Sequence, residues 1–528
     1  MKQILTGLSA LEKLKNGAKK LTDCVCVTLG PKGKNAALDR KYTTPLITND
    51  GVTIAKEIVL DCPFENMGAS IVKEATVRAN TFAGDGTTTA CVLTNAIVSE
   101  GFKAVSSGYN PMLVRVGIEK ATSEAIKLLK ELSKPIESAD EIIQVASVSS
   151  SSKTIGQIIG NAIEIVGNDG IITIEESSTS ETYITHSQGF EFERGLASPY
   201  MATDTAKMQA VLNTPLVLVV NKKINTINEL LPLLEQVIPT GRQLLIIADD
   251  IDSEVLGTLV VNKVNGTLSI TVTKAPYFAE KRRQALIDIC LLTGATLVSD
   301  DAGLSLQNTT LNHLGSAKTI IISQDKTTII EGAGDIDKLE NHITTLKQQL
   351  ASETDDYKIE TLKSRVAKLT SGVAVIHAGA PSEVACNELK LRIEDALAAT
   401  KAATSEGIVA GGGTTLLHIS SMLDEFPETL DSEEERIGAK ILIEAIKYPI
   451  RQIATNSGVD AGKIIHVIQS TNNSKIGYNA LTNEFVDMFE SGIIDPTKVT
   501  RTALENASSV AGTMLTTSVL VVESNNKE

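Results

Sequence analysis

Three hydroxyls, one carboxylate and two glycines fall within the seven residues Ala83-Gly84-Asp85-Gly86-Thr87-Thr88-Thr89. The segment that follows, Ala90 to Val98, has helical composition, which places the threonines where a helix begins. First-turn amides lack intrahelical partners and the macrodipole is positive there, so such an end attracts anions. Glycines on both sides of Asp85 let the main chain approach a ligand closely, and the carboxylate could hold Mg²⁺ between phosphate oxygens. A second glycine loop, Thr28-Leu29-Gly30-Pro31-Lys32-Gly33, lies upstream. The plainer reading of the heptapeptide is a Gly-Asp-Gly turn with threonine capping the helix.

Two further carboxylates suit the same chemistry. Asp395 sits within a helical pattern, where an Asp is locally unfavourable, and shares a face with Ala398 and Ala399, which would admit another backbone. Asp50 lies in Asn49-Asp50-Gly51, a turn signal between two short strand-like pieces. With Mg²⁺ at Asp85, the pair Asp50 and Asp395 would position a water for in-line attack on a terminal phosphate. The plainer reading of Asp395 is a solvated acid beside Arg392. The chain has neither a Gly-x-x-x-x-Gly-Lys-Ser/Thr loop nor a dinucleotide fingerprint. Its six histidines (His186, His313, His342, His377, His418, His466) are isolated in sequence, which argues against a histidine metal site. Nucleotide binding must therefore rest on glycine turns and carboxylates.

Composition bounds the rest. A chain of 528 residues exceeds one core, so several domains are expected. Aromatic residues are only 3% and Trp is absent, so the cores are built from Ala, Val, Ile and Leu. A net charge of −15 excludes a general nucleic-acid or anionic-membrane binder. The six cysteines (Cys24, Cys26, Cys62, Cys91, Cys290, Cys386) have no zinc-like spacing and read as reduced thiols. No signal peptide and no run of about 18 apolar residues is found, so a cytoplasmic location is expected.

These residues are carried by a helix-rich beginning and end around an α/β middle. Leu11, Leu14, Ala18 and Leu21 recur at helical spacing, and Pro111 to Leu132 follows an Asn110 start signal. Ala36 to Asp39 and Pro45 to Thr48 read as strands, with Asn49-Asp50-Gly51 as a hairpin turn. Gly170 to Glu175 reads as a polar hairpin, and the serines at Ser147 to Ser152 as part of a connector. Between Gly189 and Gly372, apolar strands such as Leu216 to Val220 and Leu244 to Ala248 each precede a helix. Ile336 to Leu369 suits an antiparallel helical hairpin, and helices are expected at Asn387 to Ser405, Glu434 to Val459 and Thr497 to Met514. Asp495 before Pro496 reads as a helix N-cap with proline at the first helical position. In Ile227 to Ile238, Ile227, Leu231, Leu234 and Ile238 form one apolar stripe and Leu230, Leu233 and Val237 another; one can be buried in the domain, which leaves the other needing a partner.

Read in order, these segments, with Phe64-Glu65-Asn66-Met67-Gly68-Ala69, Asp395 to Thr400, Ala410-Gly411-Gly412-Gly413 and Asp495 to Val499, resemble the GroEL-type, group I chaperonins over nearly the whole chain. The resemblance implies a mainly α fold with α/β parts in three domains. These are an equatorial ATP-binding domain (1–133 and 406–528), an intermediate hinge (134–188 and 373–405) and an apical polypeptide-binding domain (189–372). It implies ATP contacts from Thr28, Leu29, Gly30, Pro31, Asn49, Asp85, Gly86, Thr87, Thr88, Thr89 and Gly412, with Asn479, Ala480, Leu481 and Asp495 around the adenosine. Asp85 would bind Mg²⁺, and Asp50 with Asp395 would serve hydrolysis, with K⁺ as a further cofactor. Non-native polypeptide and a GroES-type co-chaperonin would meet Leu196, Ser198, Tyr200, Met201, Leu231, Leu234, Leu256, Val260 and Val261. Homo-oligomeric, stacked seven-membered rings and a role in refolding under stress complete the picture.

The chain departs from that pattern in places. Asn49 stands where lysine is usual, Leu481 where alanine is usual, and Tyr277-Phe278-Ala279-Glu280 where Gly-Phe-Gly-Asp is usual. The C-terminal Asn525 to Glu528 lacks Gly-Met repeats. A divergent, bacterial-like member is the reading that follows. The rival functions are a passive, holdase-like paralogue with a weak nucleotide cycle and an ATP-dependent small-molecule kinase; the retained Asp50, Asp85 and Asp395 speak against the first, and the lack of an acceptor pocket against the second.

Overall fold

The computed structural model describes residues 2–39, 45–136, 138–167, 170–177, 179–187, 189–205, 207–299, 303–353, 355–370, 372–471 and 473–523. Asn525 to Glu528 lie outside them. The chain forms two compact units: residues 1–161, 174–183 and 377–528, and residues 162–173 and 184–376.

The first unit is helical, and its core follows from periodicity. In helix Leu8–Val25 the residues Leu11, Leu14, Ala18, Leu21 and Val25 are all buried. They join Leu93, Ile97, Ile118, Leu129, Leu442, Leu504 and Leu515 in one cluster built from helices Thr87–Ser106, Pro111–Leu132, Glu433–Ala445 and Thr497–Leu515. Helices Leu8–Val25 and Pro63–Ala83 touch through glycine. A Cβ on Gly17 would lie 1.8 Å from Glu65 O, and one on Gly68 would lie 2.2 Å from Leu14 O. Glu65 itself is buried and paired with Lys13 (2.9 Å) and Lys20 (2.6 Å), whose hydrogen bonds hold its carboxyl below the usual range. Strand Lys2–Thr6 pairs antiparallel with Val519–Glu523, so the two ends of the described chain lie side by side.

The second unit is built on a seven-stranded sheet. Ile270–Lys274, Leu244–Ile251 and Leu216–Ile224 run parallel, and Leu216 to Val220 are all buried, as strands covered on both faces require. Gly315–Ile322, Thr327–Gly332 and Gly189–Phe192 continue the sheet antiparallel. Helices Ile336–Ser352 and Asp356–Thr370 form the expected hairpin, with Leu339 and Leu346 in the core.

Three expectations need correction. Asn49-Asp50-Gly51 is not a hairpin turn: the hairpin joins Ala36–Leu38 to Leu46–Thr48, and a helix, Gly51–Glu57, starts directly after Asp50. Glu434 to Val459 is two helices, Glu433–Ala445 and Tyr448–Asn456, because Pro449 cannot continue the first and instead opens the second. Gly170 to Glu175 is one strand, Ile171–Glu176, rather than a hairpin.

Candidate active site

Helix Pro63–Ala83 stops at Gly84 (φ 71°) and helix Thr87–Ser106 starts after Gly86 (φ 85°), so Asp85 is set between two left-handed glycines. No side chain caps the second helix; the threonines lie inside its first turn and do not cap it. The amides of that turn are left facing outward, as an anion site needs. The glycines are sterically required. A Cβ on Gly86 would come 2.7 Å from Val499 Cγ1, and one on Gly84 would come 2.1 Å from Ala398 Cβ on the helix that carries Asp395. The small residue beside Asp395 is where another backbone comes close.

Both oxygens of Asp85 are held: Oδ1 accepts from the Gly86 amide and Oδ2 from the Ser149 hydroxyl at 3.0 Å. Burial pushes its carboxyl above the ordinary value, and the negative charge of Asp50 adds to the rise. Asp50 is therefore a near neighbour. It caps helix Gly51–Glu57, accepting from Val52 N (3.0 Å) and Thr53 N (2.8 Å). Next to it, a Cβ on Gly51 would come 2.5 Å from Thr88 Oγ1, and Thr28 Oγ1 lies 3.4 Å from Thr88 Oγ1. Strand–helix junctions supply the opposite wall. Gly412 (φ 63°) and Gly413 (φ 75°) lead into helix Thr414–Met422, and the Gly412 amide donates to Asp495. Asp495 lies in strand Ile494–Pro496; Pro496 is the N-cap of helix Thr497–Leu515 and no side chain caps it, so the expected capping role is corrected. Its carboxyl is turned to the cavity, where burial and then the charge of Asp85 push it up to about 6. Asn479 Oδ1 accepts from Leu481 N (3.0 Å), which shapes the turn holding Ala480, buried, and Leu481, exposed.

Thr28, Leu29, Gly30, Pro31, Asn49, Asp50, Asp85, Gly86, Thr87, Thr88, Thr89, Asp395, Gly412, Asn479, Ala480, Leu481 and Asp495 all line one cavity of about 840 Å³, within the range of sites for a molecule of nucleotide size. Ser147 to Ser152, read from sequence as a connector, line it too, and Ser149 reaches Asp85. The only signal was the density of hydroxyls. The donor set fits a polyphosphate: amides and hydroxyls at a helix start, with the Asp85 carboxylate beside them. Among the described residues no group of three His, Cys, Asp or Glu forms a metal cluster, so a cation at Asp85 would draw its remaining ligands from phosphate and water.

The nine residues of the second unit divide three ways. Tyr200, Leu231 and Val261 are exposed (73%, 47% and 58%). Leu196, Ser198, Leu256 and Val260 are half-buried. Met201 and Leu234 belong to the core. The leftover stripe thus keeps Ile227, Leu231 and Ile238 but loses Leu234. A seven-residue α-helix, Leu231–Val237, lies between 3₁₀ turns Ile227–Glu229 and Ile238–Thr240, and the 3.6-residue phase does not run through all three.

The model of the TCP-1/cpn60 chaperonin family matches residues 21–525. This chain belongs to that family. Chaperonins are proteins of folding assistance, they bind nucleotide, and their members are in general ATPases that act on polypeptide as ring oligomers. The mainly α fold with an α/β unit accords with this chaperonin membership. No helix among the described residues of the chaperonin is long and apolar enough to cross a membrane.

Proposed function

We propose that this chaperonin is a GroEL-type, group I member that hydrolyses ATP to capture and release non-native polypeptide. The observation that carries the reading is the shared cavity: Asp50, Asp85 and Asp395 line it together with the first turn of helix Thr87–Ser106. The helix start and the Thr28 to Pro31 loop bind the phosphates, and the turn at Asn479 with Asp495 receives the adenosine. Asp85 would hold Mg²⁺, which would supply neutralisation of charge on the phosphate oxygens. Asp50, oriented by its own helix start, and Asp395 position the attacking water and accept its proton. The Asn49 carbonyl is assigned to K⁺.

In the second unit the exposed Tyr200, Leu231 and Val261 receive the polypeptide and a GroES-type co-chaperonin. The proposed domains are 1–133 with 406–528, 134–188 with 373–405, and 189–372, in seven-membered rings in the cytoplasm. Steady-state Mg-ATP turnover tests the reading. Asp395→Ala is expected to lower kcat at least about 100-fold while nucleotide still binds. Turnover equal to the parent's would overturn it.

A further inference from the structure

We propose that Asn456 is a positioning residue that holds the Thr28 to Pro31 loop in its binding conformation; this rests on the nucleotide reading above. Asn456 closes helix Tyr448–Asn456 and does not line the cavity, whereas Thr28, Leu29, Gly30 and Pro31 do. It acts through them. Its Nδ2 donates to two main-chain carbonyls, Cys26 O at 2.8 Å and Leu29 O at 2.9 Å. Its Oδ1 accepts from Gln452 Nε2, one helical turn earlier, at 2.9 Å. Both amide hydrogens and the oxygen are therefore engaged, and the orientation is determined: a flipped amide would set its oxygen against two carbonyl oxygens.

The two carbonyls bracket Val27 and Thr28, whose hydroxyl bonds Val25 O at 2.9 Å and lies 3.4 Å from Thr88 Oγ1. The same helix governs the next residue. A Cβ on Gly30 (φ 85°) would meet Ile453 Cγ2 at 3.1 Å, so the helix face also limits what the left-handed position can be. A loop fixed at both its carbonyls and its left-handed glycine loses little freedom when ligand arrives, which is where a positioning residue gains affinity. It contributes nothing to the bond-breaking step, because none of its atoms reaches the reacting centre.

The test compares the full-length parent with Asn456→Ala and Asn456→Asp; the aspartate keeps the size but has no N–H and turns oxygens toward both carbonyls. Calorimetric titration with Mg-ADP and steady-state Mg-ATP turnover are measured, with hydrogen exchange of amides 27–34 in nucleotide-free protein. Asn456→Ala is expected to raise Kd and KM about tenfold, Asn456→Asp more, with kcat at saturation within about twofold. Exchange across 27–34 should quicken in both. Unchanged Kd and KM, or a fall in kcat at constant KM, overturns the proposal, as does unaltered exchange. A parent that binds no nucleotide while the variants exchange faster would refute the nucleotide reading, and the assignment to nucleotide with it, yet leave the loop contact proven. Should neither variant fold, Gln452→Leu replaces them; a rise of about threefold in Kd supports the role and no rise refutes it.

Discussion

Gly84 and Ala398 meet so closely that a Cβ on the glycine would lie 2.1 Å from the alanine's own Cβ. This contact brings the Asp85 turn against the Asp395 helix, and it has two physical requirements: no side chain at 84, and a left-handed backbone (φ 71°) there. Gly84→Ala violates both. Steric overlap costs about 1–3 kcal/mol and the left-handed alanine about 1–2 more, so a loss near 3 kcal/mol is expected from chemical denaturation. Ala398→Gly in the same chain should recover the steric part only. A single variant within about 0.5 kcal/mol of the parent would mean the contact is slack.

Asp495 carries the pH dependence. Burial first and Asp85 second raise its carboxyl from the ordinary 3.8 to about 6, against the pull of the Gly412 amide. An acid raised in the folded state binds more protons folded than unfolded, so its contribution is complete below the unfolded value and is lost as pH rises through about 6. The ceiling is about 3 kcal/mol, and partial contact with cavity water lowers it to about 1–2. Asp495→Asn keeps an acceptor for Gly412 but cannot ionise. It should be more stable than the parent at pH 8 by that amount, by about half as much at pH 5, and gain little only near pH 3, below the unfolded value. A difference that does not change between pH 3 and pH 8 would remove Asp495 from the account.

What sequence disclosed and what it hid divides by range. Leu11, Leu14, Ala18 and Leu21 show their buried face because the helical period is local, and Asn110 caps Pro111–Leu132 as its residue type suggests. The cavity residues were found through short motifs carried by a family resemblance, not through spacing alone. Asp50 misled because a Gly turn and a helix cap begin with the same letters. Ser149 and Asn456 were invisible for a different reason: their partners lie 64 and 427–430 residues away, and nothing local marks a hydroxyl or amide that crosses such a gap. Leu234 was placed outward because a single period was drawn through three short helical pieces.

Tyr277 (φ 63°) and Ala279 (φ 49°) hold left-handed backbone at the two places where the Gly-Phe-Gly-Asp pattern has glycine. Between them Phe278 is 76% exposed. Neither residue is of a type that suits this backbone, which costs about 1–2 kcal/mol each. Tyr277 recovers part of this, since its hydroxyl accepts from Lys368 Nζ at 2.9 Å. Ala279 has no such compensation. Ala279→Gly should therefore stabilise the chain by about 0.5–1 kcal/mol, after the entropy of the unfolded glycine is subtracted, whereas Tyr277→Gly should come out near zero. Thermal midpoints of the two variants decide it, and a destabilised Ala279→Gly would show that the turn carries no strain.

The apolar residues of the second unit allow a separation between folding and capture. Leu231 and Val261 stand outside the core, so serine there opens no cavity and stability should stay within about 0.5 kcal/mol. Leu234 and Met201 are core, and serine there should cost about 2–5 kcal/mol by opening a cavity around an unmet hydroxyl. Suppression of aggregation of an acid-denatured reporter protein reads capture; chemical denaturation reads stability. If the exposed pair receives polypeptide, Leu231→Ser with Val261→Ser loses suppression while its unfolding curve matches the parent's. Leu234→Ser would lose suppression only as far as it loses structure, because a side chain at 6% exposure offers a client almost nothing to touch. Full suppression by the doubly substituted chain would move the capture surface away from Leu231 and Val261.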